Sequence, residues 1–167
     1  MKQTVITRPY TVSDAQALAN IYYHTIHNVN IRDYSIEQIN AWAPSSSLDL
    51  DGWKKKWDKL VPIVALSDDV IVGFTEFEPN GHIDCFYVHH ECQGKGVGSA
   101  LLAEIEAKAK QHNILRLYAE VSITAKPFFE KNEFNVVKKQ SVNIRGCELT
   151  NFVMEKIMAT ACISKTS

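Results

Sequence analysis

Three glycines lie within five residues of the sequence, at Gly94, Gly96 and Gly98, between a segment of strand-forming residues and a strongly helical one. Glycine lets a backbone turn tightly and approach a ligand without an intervening Cβ. The first N–H groups of the following helix have no partner within it, so a helix N-terminus attracts anions. Lys95 would add a positive charge and Gln93 a polar contact. The run therefore predicts a phosphate-binding loop, with a pyrophosphate as the expected ligand.

Two other phosphate-binding motifs fit this run less well. A P-loop requires Gly-Lys followed by Ser or Thr, whereas Lys95 is followed by Gly96. The dinucleotide pattern Gly-x-Gly-x-x-Gly/Ala would need Gly or Ala at Ser99, and it normally stands near the start of a domain. ATP hydrolysis and dinucleotide binding are therefore disfavoured. Glycines that serve tight helix packing alone remain an alternative, although a simple turn does not need three of them.

The elements around the run place it between the end of a strand and the start of a helix. Residues from His82 to Val88 are rich in β-branched and aromatic types, which favours a strand. A helix is predicted over 96–112, because apolar residues recur every four positions. These residues are Val97, Leu101, Ile105 and Ala109. A strand from Leu115 to Val121 would complete a right-handed crossover with parallel strands.

Capping signals and residue types predict the remaining elements. Ser13 with Gln16, and Ser35 with Gln38, form capping-box patterns at the starts of two helices. The predicted helices are Asp14–Asn28, Ile36–Trp42, Trp53–Lys59 and Thr124–Lys131. The further predicted strands are Val61–Leu66, Val70–Phe77, Phe134–Ile144 and Cys147–Lys156.

The glycine run resembles a known family motif. Residues Gln93 to Gly98 fit Gln/Arg-x-x-Gly-x-Gly/Ala, the acyl-CoA pyrophosphate motif of the GNAT superfamily N-acetyltransferases, and the order of the following elements is similar over Ile6 to Lys156. The resemblance implies an α/β (α+β) fold. In that fold a mixed, mostly antiparallel sheet contains a parallel central strand pair that splays apart, and helices flank the sheet.

The resemblance also implies acetyl-CoA as cosubstrate, with pantetheine lying in the gap between the splayed strands. Main-chain groups of Phe86 and Val88 would pair with pantetheine amides, and Ser122 and Phe129 would lie against the cofactor. The expected pyrophosphate ligands are the amides of Gly94, Lys95, Gly96, Val97, Gly98 and Ser99.

Acetyl transfer to an amine requires a base. An alkyl amine with a pKa of about 10.4 is protonated at neutral pH and must lose a proton before it attacks a thioester. The candidates are Glu76, His82 and Asp84, the last two on one strand face by the two-residue period. The alternatives are that these are ordinary surface residues, or that water relays the proton.

The usual proton donor for the departing thiolate is missing. The family commonly uses a tyrosine in Asn-x-x-Ala-x-x-x-Tyr-x-x-x-Gly-Phe. Here Ala125 and Phe134 match, but Ser122, Phe129 and Glu133 replace the Asn, Tyr and Gly. Protonation would then fall to Tyr118, Tyr87 or water.

Composition indicates one domain of ordinary type. The chain has 167 residues, 46% hydrophobic and 22% charged, and a net charge of −1. We expect an N-acetyltransferase domain over 1–157 and a C-terminal tail over 158–167. Scattered basic residues predict no nucleic-acid or membrane partner.

Four cysteines without a Cys-x-x-Cys pair predict reduced thiols and no metal. With no apolar signal or membrane-span segment, a cytoplasmic monomer or homodimer is expected.

The function predicted from the sequence is acetyl transfer from acetyl-CoA to a primary amine of a small molecule or peptide, by direct attack in a ternary complex. The alternative is a non-catalytic acyl-CoA-binding sensor or regulatory module. An acetyltransferase toxin acting on charged tRNA would need a basic groove, which the near-neutral charge disfavours. Residues on the N-terminal helices that could face an acceptor are His24, His27, Tyr34 and Trp42.

Overall fold

The computed structural model describes residues 3–159. The strands are β1 Val5–Pro9, β2 Ile63–Ser67, β3 Val70–Phe77, β4 Ile83–Val88, β5 Arg116–Ser122, β6 Asn135–Ile144 and β7 Cys147–Ile157. The helices are α1 Ala15–Asn28, α2 Ile36–Trp42, α3 Leu50–Lys59, α4 Val97–Gln111 and α5 Lys126–Lys131. Short 3-10 turns occupy Val12–Asp14, Asn30–Arg32 and Ser45–Leu48.

The strands form two antiparallel sheets, in the orders β1-β2-β3-β4 and β5-β7-β6. Among the described residues, one parallel bridge, His82 to Tyr118, joins them at the beginning of β4 and β5. The strands approach so closely there that a Cβ on Gly81 would lie 2.0 Å from the carbonyl oxygen of Arg116. Beyond the bridge the two strands separate. The predicted mixed fold with a splayed parallel pair is confirmed.

A bulge interrupts the pairing of β3 with β4. Thr75 pairs with Phe86 but Phe77 pairs with Ile83, so β4 carries one extra residue between these pairs. A bulge bends a strand and re-aims the side chains at that point. Asp84 is directed at α3, where it contacts Lys56, 2.9 Å away.

The first sheet is covered on both faces. The stripe Val97, Leu101, Ile105 and Ala109 is confirmed as the buried face of α4, because none of the four is more than 2% exposed. Helices α1 and α3 cover the other face, where the rings of Trp57 and Phe74 meet edge to face. Among residues 3–159, no helix has the length and hydropathy needed to span a membrane.

The N-terminal region departs from the predicted pattern. Strand β1 was not predicted, and it pairs with β2 as an edge strand. The capping box predicted at Ser13 and Gln16 is wrong, because the Asp14 carboxylate accepts from the Thr11 N–H and caps a 3-10 turn. Asp14 also accepts two hydrogen bonds from Arg8, which chiefly lower the pKa of its carboxyl. The Ser35 and Gln38 capping box is confirmed.

The C-terminal end of the domain is tied to the core. Met158, assigned to the predicted tail, is 8% exposed, and its N–H donates to the Leu115 carbonyl. The rest of that tail from residue 160 lies outside the described residues.

Candidate active site

A cleft of about 410 Å³ lies between the diverging ends of β4 and β5. It extends from the glycine run at the start of α4 to side chains of α1 and α2. The cleft therefore joins the predicted phosphate-binding loop to the face of the sheet that α1 and α3 cover.

The glycines of the loop are needed for different structural reasons. Gly94 and Gly96 have φ of 72° and 85°, and Gly96 is the N-cap of α4. Gly98 instead allows close packing, because a Cβ there would lie 3.1 Å from the ring of Phe128. Within residues 3–159, the amides of residues 94–99 donate to no protein acceptor. A row of unpaired donors at a helix N-terminus fits a pyrophosphate.

The two polar side chains of the loop, Gln93 and Lys95, are placed differently relative to the cleft. The Nε2 of Gln93 donates to the carbonyl of Val88 at 2.8 Å, so this side chain fastens the loop to the end of β4. Lys95 is exposed and is not among the residues that line the cleft. Gln93 lines the cleft and has a structural contact with β4, and its contact with a phosphate stays a prediction.

The open edge of β4 faces the cleft. The N–H of His89 donates to Val72 of β3, and backbone direction alternates along an antiparallel ladder, so Phe86 and Val88 direct their backbone groups to the opposite edge. The Val88 carbonyl already accepts from Gln93 and from Thr25 Oγ1, at 2.9 Å. The backbone groups of β4 that remain free to pair with an extended ligand are thus the N–H and carbonyl of Phe86 and the N–H of Val88.

The β5 side of the cleft offers two hydroxyls. Ser122 Oγ accepts from the Ala125 N–H at 3.0 Å, which leaves its own hydrogen to donate. Thr124 Oγ1 lines the cleft and is buried, and it has no hydrogen-bond partner among residues 3–159. A buried polar atom normally has a partner. These groups, the apolar rings of Phe128 and Phe129 and the loop amides fit an acyl-CoA lying in the cleft.

Of the predicted bases, Glu76 does not reach the cleft. Its side chain is 0% exposed, and it accepts from Trp57 Nε1 and from Lys56 Nζ, both at 3.1 Å. An amine in the cleft therefore has no contact with this carboxylate. Glu76 is the buried member of an ion cluster with Lys56 and Asp84.

Asp84 lines the cleft but is paired. Lys56 Nζ lies 2.9 Å from its carboxylate, so this one ammonium bridges Asp84 and Glu76. Burial opposes the charge on Lys56, but the acidic groups of Cys85, Glu76 and Asp84 outweigh it and raise the pKa of the ammonium. Lys56 therefore stays charged, and it neutralises one of the two carboxylates.

Replacing Lys56 with methionine should destabilise the fold by about 3 kcal/mol, because Glu76 would remain buried without its cation. Urea unfolding measures the loss. Lys55→Met is the matched control, since Lys55 is an exposed neighbour on the same helix, and it should change the free energy of unfolding by less than about 0.5 kcal/mol. Adding Glu76→Gln to Lys56→Met should restore much of the loss, and equal losses at Lys55 and Lys56 would contradict the buried-charge argument.

His82 lies between two carboxylates. Its Nε2 is 2.6 Å from Glu120 and its Nδ1 is 3.4 Å from Glu78. Burial alone would lower the pKa of His82, but the hydrogen bonds and charges of Glu120 and Glu78 raise it above its ordinary value. His82 does not line the cleft, whereas Glu120 does. His82 and Asp84, the two candidates expected on one strand face, bind different partners, Glu120 and Lys56.

Glu120 is a carboxylate in the cleft that the sequence pattern did not single out. It occurs in β5 between Ala119 and Val121, which are buried, so strand alternation alone directs its side chain away from the α4 core. What the sequence lacked was the register of β5 against β4, which the bridge from His82 to Tyr118 sets.

Of the two tyrosines proposed as acids, Tyr118 lies outside the cleft, and Tyr87 is a weak proton donor because the pKa of its hydroxyl is raised. Tyr118 packs against His82 and beneath Arg116, its hydroxyl accepts from Asn80, and it does not line the cleft. Tyr87 lines the cleft, and burial raises the pKa of its hydroxyl well above the ordinary value. Phe129 is 1% exposed and packs among other phenylalanines.

Of the four predicted acceptor-side residues, Trp42 lines the cleft. His24 is exposed, and His27 bonds the carbonyl of Ala43. The hydroxyl of Tyr34 accepts from the Ile123 N–H and donates to the Thr150 carbonyl, which ties the turn before α2 to the second sheet. Cys85, Cys92 and Cys147 are free thiols, and Cys162 lies outside the described residues.

Comparison with known proteins identifies related sequences and folds. Residues 30–156 match the family described as the acetyltransferase (GNAT) domain. The uncharacterized N-acetyltransferase YafP of Escherichia coli is 37% identical over 147 residues, covering 88% of this chain and 92% of that protein. The GCN5-related N-acetyltransferase of Rhodopseudomonas palustris superposes with a TM-score of 0.88 at 31% identity, covering 95% and 98% of the two chains. PaiA N-acetyltransferase of Thermoplasma acidophilum, solved with coenzyme A, has the same fold, with a TM-score of 0.71 at 21% identity and coverage of 93% and 99%.

Proposed function

The chain belongs to the GNAT acetyltransferases, and from that premise we propose that it moves an acetyl group from acetyl-CoA to a primary amine by direct attack in a ternary complex. The observation that carries the proposal is the continuity of one cleft, which runs from the unpaired amides of residues 94–99 to the carboxylate of Glu120. A donor and an acceptor can therefore bind at the same time. When bound, acetyl-CoA supplies an acetyl group activated as a thioester.

Specific residues would hold the donor. The amides of residues 94–99 take the pyrophosphate, and the backbone of Phe86 and the N–H of Val88 pair with pantetheine along the open edge of β4. The hydroxyls of Ser122 and Thr124 add polar contacts from β5 and the turn that follows. Phe129 supplies apolar contact area where the family commonly has a tyrosine.

The proton acceptor is Glu120, because of the two cleft carboxylates it is the one without a lysine partner in the described part of the chain. His82 is a residue that positions Glu120, since its imidazole forms a hydrogen bond with the Glu120 carboxylate and does not line the cleft. A carboxylate within reach of the incoming ammonium removes the proton that blocks attack, by direct contact or through one water.

The transfer balances without a side-chain acid. The protonated amine gives one proton to Glu120, its nitrogen bonds the acetyl carbonyl carbon, and the carbon–sulfur bond breaks with its electron pair on sulfur. The second proton leaving nitrogen protonates the thiolate, so the products are the amide, CoA thiol and the proton held by Glu120. The presence of Phe129 in place of tyrosine is therefore compatible with turnover.

Two measurements on the wild-type chain test the proposal. Calorimetry should show acetyl-CoA binding, and a thiol reagent should detect CoA release that depends on added amine, with an amine-free reaction as control. The panel comprises small amines, amino acids, aminoglycosides and peptides. Binding without release across the panel would identify a non-catalytic acyl-CoA-binding protein, and an absence of binding would overturn the assignment of the glycine loop.

A further inference from the structure

The charged side chains that line the cleft bear on which kind of amine it can accept. The sequence pattern predicted a primary amine of a small molecule or peptide and did not specify its other charged groups. The described residues lining the cleft include two carboxylates, Asp84 and Glu120, and one cation, Lys131. Lys131 ends α5, the helix whose Phe128 packs on Gly98, and so it belongs to the phosphate end of the cleft.

Both carboxylates belong to clusters with an excess of negative charge. Lys56 alone bridges Asp84 and Glu76, so that cluster carries one cation against two carboxylates. His82 likewise stands alone between Glu120 and Glu78. Each cluster therefore has a net charge of −1 when His82 is protonated. The side chains of Asp84 and Glu120 are 38% and 43% exposed, so both can meet a ligand.

The aromatic residues of the cleft are consistent with the same kind of ligand. Trp42 and Tyr87 line it together with these carboxylates. Aromatic faces attract ammonium groups, most strongly where water is displaced. Carboxylates beside aromatic rings thus favour a cation and disfavour an anion.

We propose that the acceptor is a cationic amine that carries no carboxylate next to the reacting nitrogen, with Asp84 as a residue that selects it. This inference rests on the proposed acetyl transfer. The α-carboxylate of an amino acid would enter a wall that already has excess negative charge, and like charges at close range oppose binding. The corresponding decarboxylated amine has the same nitrogen without that penalty.

Three matched pairs test this inference: agmatine with arginine, tyramine with tyrosine, and 1,5-diaminopentane with lysine. The members of each pair differ by one α-carboxylate. CoA release with the wild-type chain should give kcat/KM at least about tenfold higher for the decarboxylated member of each pair. The preference should shrink as salt is raised, because screening weakens interactions between charges that water reaches.

Asp84→Asn should raise KM for agmatine about tenfold and reduce its preference over arginine, with acetyl-CoA affinity unchanged. Asp84→Glu retains the charge and should keep the preference. Glu130→Gln is the control for loss of a carboxylate elsewhere, since Glu130 pairs with Lys126 on the surface of α5.

The outcomes separate this inference from the proposed function. Amine-dependent release that is equal or better with the amino acid of each pair would overturn the charge argument and leave acetyl transfer standing. An unchanged preference in Asp84→Asn would remove Asp84 as the selecting residue. Acetyl-CoA binding without release from any amine would overturn both.

Discussion

Replacing Gly96 with glutamate is expected to weaken acetyl-CoA binding about 100-fold, equivalent to about 2.8 kcal/mol of binding free energy. Gly96 is the N-cap of α4, and the position of its absent Cβ is open space. A glutamate there would bring its carboxylate to the unpaired amides of the loop and repel the pyrophosphate. Titration calorimetry with acetyl-CoA gives the affinity directly.

The hairpin between β6 and β7 offers a matched control for backbone strain. Gly146 has φ of 84°, close to the 85° of Gly96, and its Cβ position is also open. Gly146→Glu therefore introduces the same charge and a similar left-handed strain away from the cleft, and it should leave acetyl-CoA affinity at the wild-type value. Gly96→Asn adds a side chain that tolerates this conformation without the charge. Wild-type affinity in Gly96→Glu would rule out the loop as the pyrophosphate site.

Local patterns were enough to predict most of the elements. The four-residue spacing from Val97 to Ala109 fixes which face of α4 is buried, since that property depends on neighbouring residues alone. The cap at Ser35 and Gln38 is local in the same sense. The edge strand β1 was not predicted, because its five residues pair with β2 about sixty residues away.

Predicting the side-chain contacts on the catalytic side of the cleft requires information that the sequence pattern does not contain. The contact of His82 with Glu120 needs the register of two strands that meet at a single bridge. The contact of Asp84 with Lys56 needs a bulge in β4 and the docking of α3. The two-residue period of the strand placed His82 and Asp84 on one face, whereas tertiary packing gives each side chain a different partner.

Glu120→Gln is expected to lower kcat about 100-fold or more, because a positioned general base contributes about 10²–10⁴-fold to such a step. Glutamine keeps the shape of the side chain and one hydrogen bond to His82, but it cannot accept the proton of the ammonium. The affinity for acetyl-CoA should not change, since Glu120 takes no part in the proposed pyrophosphate contacts. Pre-steady-state CoA release with saturating amine measures the chemical step.

Glu78→Gln separates base chemistry from the electrostatics of His82. Glu78 is the other carboxylate beside His82, 3.4 Å from its Nδ1, and it does not line the cleft. Both variants should lower the pKa of His82 in an NMR titration, because both carboxylates raise it in the wild type. A raised histidine pKa stabilises the fold below the unfolded value of about 6.5, and this stability is lost as pH rises through the folded pKa. Only Glu120→Gln should also lower kcat strongly. Equal losses of kcat in the two variants would mean that the charge on His82, and not the carboxylate of Glu120, supports the transfer.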